Sequence, residues 1–143
     1  MDMDKNAVVN ALNRILENEL AGVVRYTHYS LMVFGHTRIP VVSWLRGQAS
    51  ESLTHAQDAG EMITHLGEHP SLAIGQLLEN YKHDVDAILQ ESLEAERHVL
   101  GLYRDLHHLV EGRSVLLEEY ARKMIVTEEM HAGEVEKMLR GNA

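Results

Sequence analysis

A glutamate and a histidine stand three residues apart in the segment 128–131, which reads Glu-x-x-His. On an α-helix, residues at this spacing leave the same face, so Glu128 and His131 could hold one metal ion between a carboxylate oxygen and an imidazole nitrogen. Such a pair is common by chance in an acidic helix, and it indicates a metal site only when other segments supply further ligands. The candidates for those further ligands are Glu19, His55 and Glu96.

Four segments of the chain show the 3.6-residue spacing of apolar residues that predicts an α-helix. They run from about Asp4 to Phe34, from about Pro40 to Gly67, from a start between Ser71 and Tyr81 to about Val110, and from Ser114, a candidate N-cap, to about Arg140. The links at 35–39 and 111–113 are short, which makes neighbouring helices antiparallel, and the connection after Glu68 is longer, with some helix of its own expected. The sequence predicts an all-α, antiparallel four-helix bundle with a long crossover between helices two and three, and residues 1–143 as a single domain.

The face that each predicted helix turns toward its partners is apolar except near its middle. The polar residues at these central positions are Glu19 and Tyr26 in helix one, His55 in helix two, Glu96 and Tyr103 in helix three, and Glu128 and His131 in helix four. No lysine or arginine shares these faces, and burying an unpaired carboxylate costs roughly several kcal/mol. Protonation, a water-filled cavity or a bound cation would offset that cost. One buried histidine or tyrosine is more often a core residue, but the repeated pattern favours a metal site.

The Glu–Tyr spacing of seven residues occurs in both helix one and helix three, which predicts two similar half-sites. In di-iron carboxylate bundles, two helices each contribute a Glu and the other two each contribute Glu-x-x-His. Helix two departs from this pattern because Ser52 stands three residues before His55. Glu51, four residues before His55, reaches the site only if the helix is locally distorted, for example by a π-bulge. Glu51 is thus either a metal ligand or a carboxylate that lines the path of the metal.

Composition narrows the classes of partner. The formal net charge is −9, which argues against a nucleic-acid partner and favours cations. There are no cysteines, which excludes disulfides, zinc fingers and thiol nucleophiles. No secretory signal and no membrane span is evident, so a cytoplasmic location is expected. The histidines outside the central positions are interpreted mostly as surface or loop residues: 28, 36, 65, 69, 83, 98 and 108.

The chain resembles the bacterioferritin branch of the ferritin-like family over nearly its whole length. The resemblance rests on Asn18-Glu19-Leu20 followed by Tyr26, His55-Ala56, Glu96 with Tyr103, and residues 128–131. It implies a ferritin-like bundle whose di-iron centre oxidises Fe(II) with O2 or peroxide, for iron storage or detoxification. By the same resemblance, Glu19 and Glu96 would be terminal carboxylates, His55 and His131 imidazole ligands, and Glu128 a bridging ligand. Tyr26 would lie beside the centre as a hydrogen-bond partner or electron donor.

Two departures from that family bear on haem and on assembly. The position of the family's haem-ligating methionine is Leu53, so haem is not expected. The family's short fifth helix has no counterpart after Gly141, so a homodimer is the smallest expected assembly and a larger homo-oligomer stays open. The incomplete Glu-x-x-His of helix two motivates an alternative, a non-catalytic metal-binding or accessory subunit. A purely structural bundle, and manganese in place of iron, also remain open.

Overall fold

The computed structural model describes residues 2–141 and contains four α-helices. They are α1 (Lys5–Met32), α2 (Arg38–His65), α3 (Val85–Val110) and α4 (Val115–Leu139). None of the residues between 2 and 141 forms a β-strand. No helix in that same stretch is both long enough and apolar enough to cross a membrane. The predicted all-α four-helix bundle is confirmed.

Three of the helices begin at a residue whose side chain caps the first turn. The carboxylate of Asp4 accepts a hydrogen bond from the Ala7 amide at the start of α1. Asp84 caps α3 in the same way, and the Ser114 hydroxyl accepts from the Leu117 amide at the start of α4. Each cap satisfies an amide that has no partner within the helix. The predicted N-cap role of Ser114 is confirmed.

The helices form two antiparallel hairpins that pack against each other through α1 and α3. Helix α1 packs on α2, and α3 packs on α4. Between the hairpins, Tyr26 contacts Glu96 while Tyr103 contacts Glu19. Residues late in α1 therefore meet residues early in α3, which makes these two helices antiparallel. In this register the midpoints of the helices lie at the same height along the axis of the bundle.

The crossover between α2 and α3 contains no helix in the described chain, so the expectation of helical structure there is wrong. Its backbone is tied to α1 instead, because the Gly75 amide donates to the Glu17 carbonyl at 2.7 Å. A side chain at Gly75 would lie 2.9 Å from the Asn18 side chain, so only glycine approaches this closely. Tyr81 adopts a positive φ of 58°, and α3 begins after it, at Val85.

A polar layer divides the apolar interior of the bundle into two ends. At one end lie side chains such as Val8, Leu12, Ile63, Leu106 and Leu117. At the other end lie two smaller clusters that include Tyr29, Leu45, Ile88, Leu89 and Val135. Burial of these side chains stabilises the bundle and fixes the positions of the polar residues between them.

Candidate metal centre

Three glutamates from three helices meet inside the bundle and form the centre of the polar layer. Glu19 of α1, Glu96 of α3 and Glu128 of α4 are 3%, 6% and 1% exposed. Their partners among ionisable side chains are His55 of α2 and His131 of α4. Among the described residues, no lysine or arginine forms an ion pair with these carboxylates. The layer therefore concentrates negative charge where solvent does not reach, which is costly without a cation or protons.

The first group of ligand-type atoms combines α1, α2 and α4. Nδ1 of His55 lies 2.9 Å from Oε2 of Glu19 and 3.4 Å from Oε1 of Glu128. One donor atom from each of these three residues lies within 4.8 Å of the others. Carboxylate oxygens and an imidazole nitrogen at such separations suit one divalent transition-metal ion.

The second group combines α3 and α4 and shares one carboxylate with the first. Glu96, Glu128 and His131 also place one donor atom each within 4.8 Å of one another. Nδ1 of His131 lies 3.6 Å from Oε2 of Glu96, which is too long for a hydrogen bond. Both ring nitrogens of His131 and Oε2 of Glu128 are buried without a hydrogen-bond partner. Buried polar atoms are normally paired, so Oε2 of Glu128 and one ring nitrogen of His131 fit the role of metal donors.

Two tyrosines fix the carboxylates by hydrogen bonds that cross between α1 and α3. The Tyr26 hydroxyl donates to Oε1 of Glu96 at 2.5 Å, and the Tyr103 hydroxyl donates to Oε2 of Glu19 at 2.8 Å. Seven residues span about 10 Å along a helix, so each tyrosine meets the glutamate of the opposite helix. The repeated spacing of glutamate and tyrosine predicted two half-sites, but it did not predict that each tyrosine bonds to the glutamate of the other helix.

Burial and neighbouring charges shift the pKa values in the polar layer. Burial raises the pKa of Glu128 to about 9, and the Glu96 carboxylate adds to this rise. Burial opposes ionisation of Glu96 too, but contacts with Glu128 and His131 outweigh it and lower the pKa of Glu96 to about 2. Burial disfavours the charged form of His55, yet Glu128 and Glu19 raise its pKa to about 10. Glu128 and His55 therefore hold protons at neutral pH, which a divalent cation must displace.

Glu51 and Ser52, the ambiguous pair of helix two, occupy different environments. Oε1 of Glu51 lies 3.9 Å from Nε2 of His55, and its side chain is 43% exposed. Burial disfavours the charged form of His131, but Glu96 and, after it, the negative charge of Glu51 raise the pKa of His131. Glu51 thus lies at the rim of the layer, outside both three-residue groups. Ser52 is buried against Gly22, where a side chain on the glycine would meet the Ser52 hydroxyl oxygen at 3.0 Å.

The geometry as a whole brings five of the residues expected from the sequence into two overlapping groups. They are Glu19, His55, Glu96, Glu128 and His131. Tyr26 adjoins them through Glu96, and burial together with the charge of Glu96 raises the pKa of Tyr26 well above its ordinary value. The Tyr26 hydroxyl therefore stays protonated and acts as a donor. A pair of divalent metal ions fits this set of donors, since each group offers two carboxylates and one imidazole.

Comparison with known proteins agrees with this reading of the fold. Residues 9–141 match the family described as the ferritin-like domain. No curated protein matches the sequence of this chain significantly.

Three solved structures illustrate the similarity of fold. A ferritin-like diiron-carboxylate protein from Bacillus anthracis str. Ames has a TM-score of 0.90 and 22% identity, covering 98% of this chain and 100% of its own. A dodecameric, bacterioferritin-related thioferritin from Bacteroides fragilis has a TM-score of 0.86 and 21% identity, covering 96% of this chain and 87% of its own. The bacterioferritin of Rhodobacter capsulatus has a TM-score of 0.83 and 21% identity, covering 97% of this chain and 86% of its own.

Proposed function

The chain belongs to the ferritin-like family, and from this premise we propose that its polar layer binds two iron ions and oxidises Fe(II) to Fe(III). One observation carries the proposal. Three buried carboxylates and two imidazoles converge in the interior, and three of their donor atoms have no other partner. Divalent cations balance the buried charge, and they supply a partner for Oε2 of Glu128 and for one ring nitrogen of His131.

We assign the ligand roles from the two overlapping groups. Glu19 and His55 serve the first ion, whereas Glu96 and His131 serve the second. Glu128 belongs to both groups and is therefore the bridging carboxylate. Ser52 takes the place of a second bridging carboxylate, so the two ions share only one bridge, Glu128.

The surface of the protein favours delivery of the metal. The formal net charge of −9 attracts cations over distances of about the Debye length. Glu51, half exposed beside His55, is positioned to take up an ion at the rim and pass it to the buried groups. In this role Glu51 is a transient ligand rather than a permanent one.

Fe(II) is the substrate of the proposed reaction and O2 or peroxide is the electron acceptor. Two Fe(II) ions give up one electron each, and the acceptor takes both electrons together with protons from solvent. The protein supplies fixed ligands and an environment from which bulk water is excluded. Tyr26 holds Glu96 in place beside the second group by its hydrogen bond.

We further propose iron storage or detoxification by an assembly of several copies, with no haem. Leu53, at the position of the expected haem-ligating methionine, is partly exposed and offers no ligand atom. Large apolar side chains are exposed on the bundle, among them Leu31, Phe34 and Ile39. Such side chains favour contact with a second copy. Native mass spectrometry should give a homodimer or a larger homo-oligomer, and a monomer at micromolar concentration would contradict this part of the proposal.

Aerobic addition of Fe(II) tests the ferroxidase proposal. The wild-type protein should give a rise in Fe(III) absorbance faster than buffer alone, and Glu128→Ala and His131→Ala should abolish the increase. Glu129→Ala is the matched control, because Glu129 lies next to Glu128 but pairs with Arg104 on the surface. A wild-type rate equal to that of buffer would overturn the proposal.

The serine at position 52 supports a second candidate function, that of a metal-binding or accessory subunit without turnover. With only one bridging carboxylate, the chain could bind one ion tightly and the other too weakly for a two-electron reaction. Metal analysis after anaerobic loading separates the two functions. Two ions per chain favour the ferroxidase, whereas one ion per chain favours the binding subunit. Repeating the titration with Mn(II) shows which metal the ligands prefer.

A further inference from the structure

A second cluster of histidine and carboxylate side chains lies outside the polar layer, where the crossover passes α1. Nε2 of His28, on α1, is 2.7 Å from Oε2 of Glu79, on the crossover. Nε2 of His83 is 3.1 Å from Oε1 of the same carboxylate. One donor atom from each residue lies within 4.8 Å of the other two. Both histidines were interpreted from the sequence as surface or loop residues, and their convergence depends on the path of the crossover.

The backbone around Glu79 holds its carboxylate between the two imidazole rings. The Tyr81 amide donates to Oε1 of Glu79 at 2.6 Å, within the turn where Tyr81 has a positive φ. That hydrogen bond, and next the one from His28, lower the pKa of Glu79, so the carboxylate is ionised. Upstream, the bond between the Gly75 amide and the Glu17 carbonyl fastens the crossover to α1. The three side chains are therefore preorganised.

An ordinary ion pair explains one imidazole beside one carboxylate, but here two imidazoles from separate elements meet on a single carboxylate. Their ring centroids lie 5.5 Å apart with an interplanar angle of 71°, so they do not stack face to face. Ligands that share one ion at about 2 Å lie about 3 Å from each other. The two separations between an imidazole nitrogen and a Glu79 oxygen, 2.7 and 3.1 Å, are close to that value, and the two imidazole nitrogens lie within 4.8 Å of each other. The cluster has two imidazoles and one carboxylate, which is the donor set of many transition-metal sites.

We propose that His28, Glu79 and His83 form a surface site for a divalent transition-metal ion, with Zn(II) as the representative ion, which ties the crossover to α1. Their side chains are 43%, 34% and 16% exposed, so water completes the coordination. A cavity of about 240 Å³ adjoins His28 and Glu79 and provides room for that water. Mg²⁺ and Ca²⁺ prefer oxygen ligands and are excluded by the two imidazoles.

The site is independent of the proposed ferroxidase function, so it is tested in a protein whose polar layer no longer binds metal. In the Glu128→Ala/His131→Ala double variant, Zn(II) titration should leave one bound ion per chain. Adding His28→Gln and His83→Gln to that variant should remove this ion. Adding His98→Gln instead is the matched control, because His98 is an exposed histidine of α3, and it should leave the ion in place.

Two results would overturn the proposal. One is the absence of any bound Zn(II) in the double variant at concentrations up to about 100 μM. The other is a bound ion that survives the two glutamine substitutions. X-ray absorption spectroscopy of the Zn(II)-loaded double variant gives a second readout that needs no further substitution. It should show two imidazole ligands, and a spectrum with one imidazole or none would contradict the assignment.

Discussion

In the first half of the polar layer Nδ1 of His55 lies 2.9 Å from Glu19, whereas in the second half neither ring nitrogen of His131 has a hydrogen-bond partner. An ion that enters the first half must break an existing contact between ligands. An ion that enters the second half gains partners without breaking a hydrogen bond of His131. The two halves share residue types, but we infer that they bind metal with different affinities, the second half more tightly.

The difference begins in the sequences of α2 and α4. Helix α4 presents Glu128 and His131 from one face, and Glu128 reaches both halves. Helix α2 presents Ser52 and His55, so it supplies no buried carboxylate. Bridging therefore depends on a single residue of α4. Similar spacing of glutamates and tyrosines in the two hairpins therefore does not make the two halves of the polar layer bind metal equally.

The largest expected effect separates the two histidines. His131→Ala should weaken binding of the second, tighter ion by about 100-fold, or about 2.7 kcal/mol. His55→Ala should leave that ion bound and remove the first, weaker one. Anaerobic calorimetric titration with Fe(II) or Co(II) measures both affinities, with His98→Ala as the control. Equal losses in the two variants would contradict the inferred difference between the halves.

The two tyrosine hydrogen bonds, one in each half of the polar layer, should contribute equally to the free energy of unfolding. Tyr26→Phe leaves Glu96 without its hydroxyl donor, and Tyr103→Phe does the same to Glu19. Hydrogen bonds to charged groups contribute about 2 kcal/mol each, so each variant should lose about that much free energy of unfolding. Urea unfolding of the chelator-treated protein measures it. A loss confined to one variant would show that the halves differ in more than their metal ligands.

Restoring the missing carboxylate should reduce the difference between the halves. Ser52→Glu places a carboxylate three residues before His55, as Glu128 stands before His131. We expect the affinity for the weaker ion to rise about tenfold, or about 1.4 kcal/mol. Ser52→Gln, of the same size but uncharged, is the control. An equal gain in both variants would mean that packing, rather than charge, limits the first half.

The last expected effect needs no substitution and concerns how the free energy of unfolding of the chelator-treated protein depends on pH. Glu128 has a pKa raised from 4.5 to about 9, and His55 from 6.5 to about 10, so the folded chain holds protons that the unfolded chain releases. The free energy of unfolding should therefore fall between pH 6.5 and 9, with a slope of up to about 1.4 kcal/mol per pH unit for each of the two groups. Glu128→Gln should flatten this slope, while Glu129→Gln should not. Stability that rises with pH in this range would contradict the assignment of protons to the layer.

Helical periodicity was sufficient to predict which side chains of α1 face the core. Spacings of three and four residues from Val8 through Glu19 and Tyr26 to Val33 predict the face of helix one that meets its partners, and every residue at these positions is buried. The same periodicity located the middle of the layer, because tight packing at both ends fixes the register of the helices. The four helices and the set of side chains that converge in the polar layer could thus be predicted from local sequence patterns.

Features that depend on contacts between distant segments could not be predicted in the same way. The crossover is extended because α1 satisfies part of its backbone, as at Gly75, and no local pattern encodes that contact. His28 and Glu79 are 51 residues apart, so their pairing depends on the same path. The position of Glu51 at the rim follows from the phase of α2, which only the packed structure defines.

The central claim is that a pair of metal ions offsets the buried negative charge of the polar layer. Anomalous diffraction from crystals loaded anaerobically with Fe(II) measures this most directly. We expect two peaks in the layer, one beside Glu19 and His55 and one beside Glu96 and His131, with Glu128 between them. Well-ordered carboxylates with no anomalous peak among them would contradict the account.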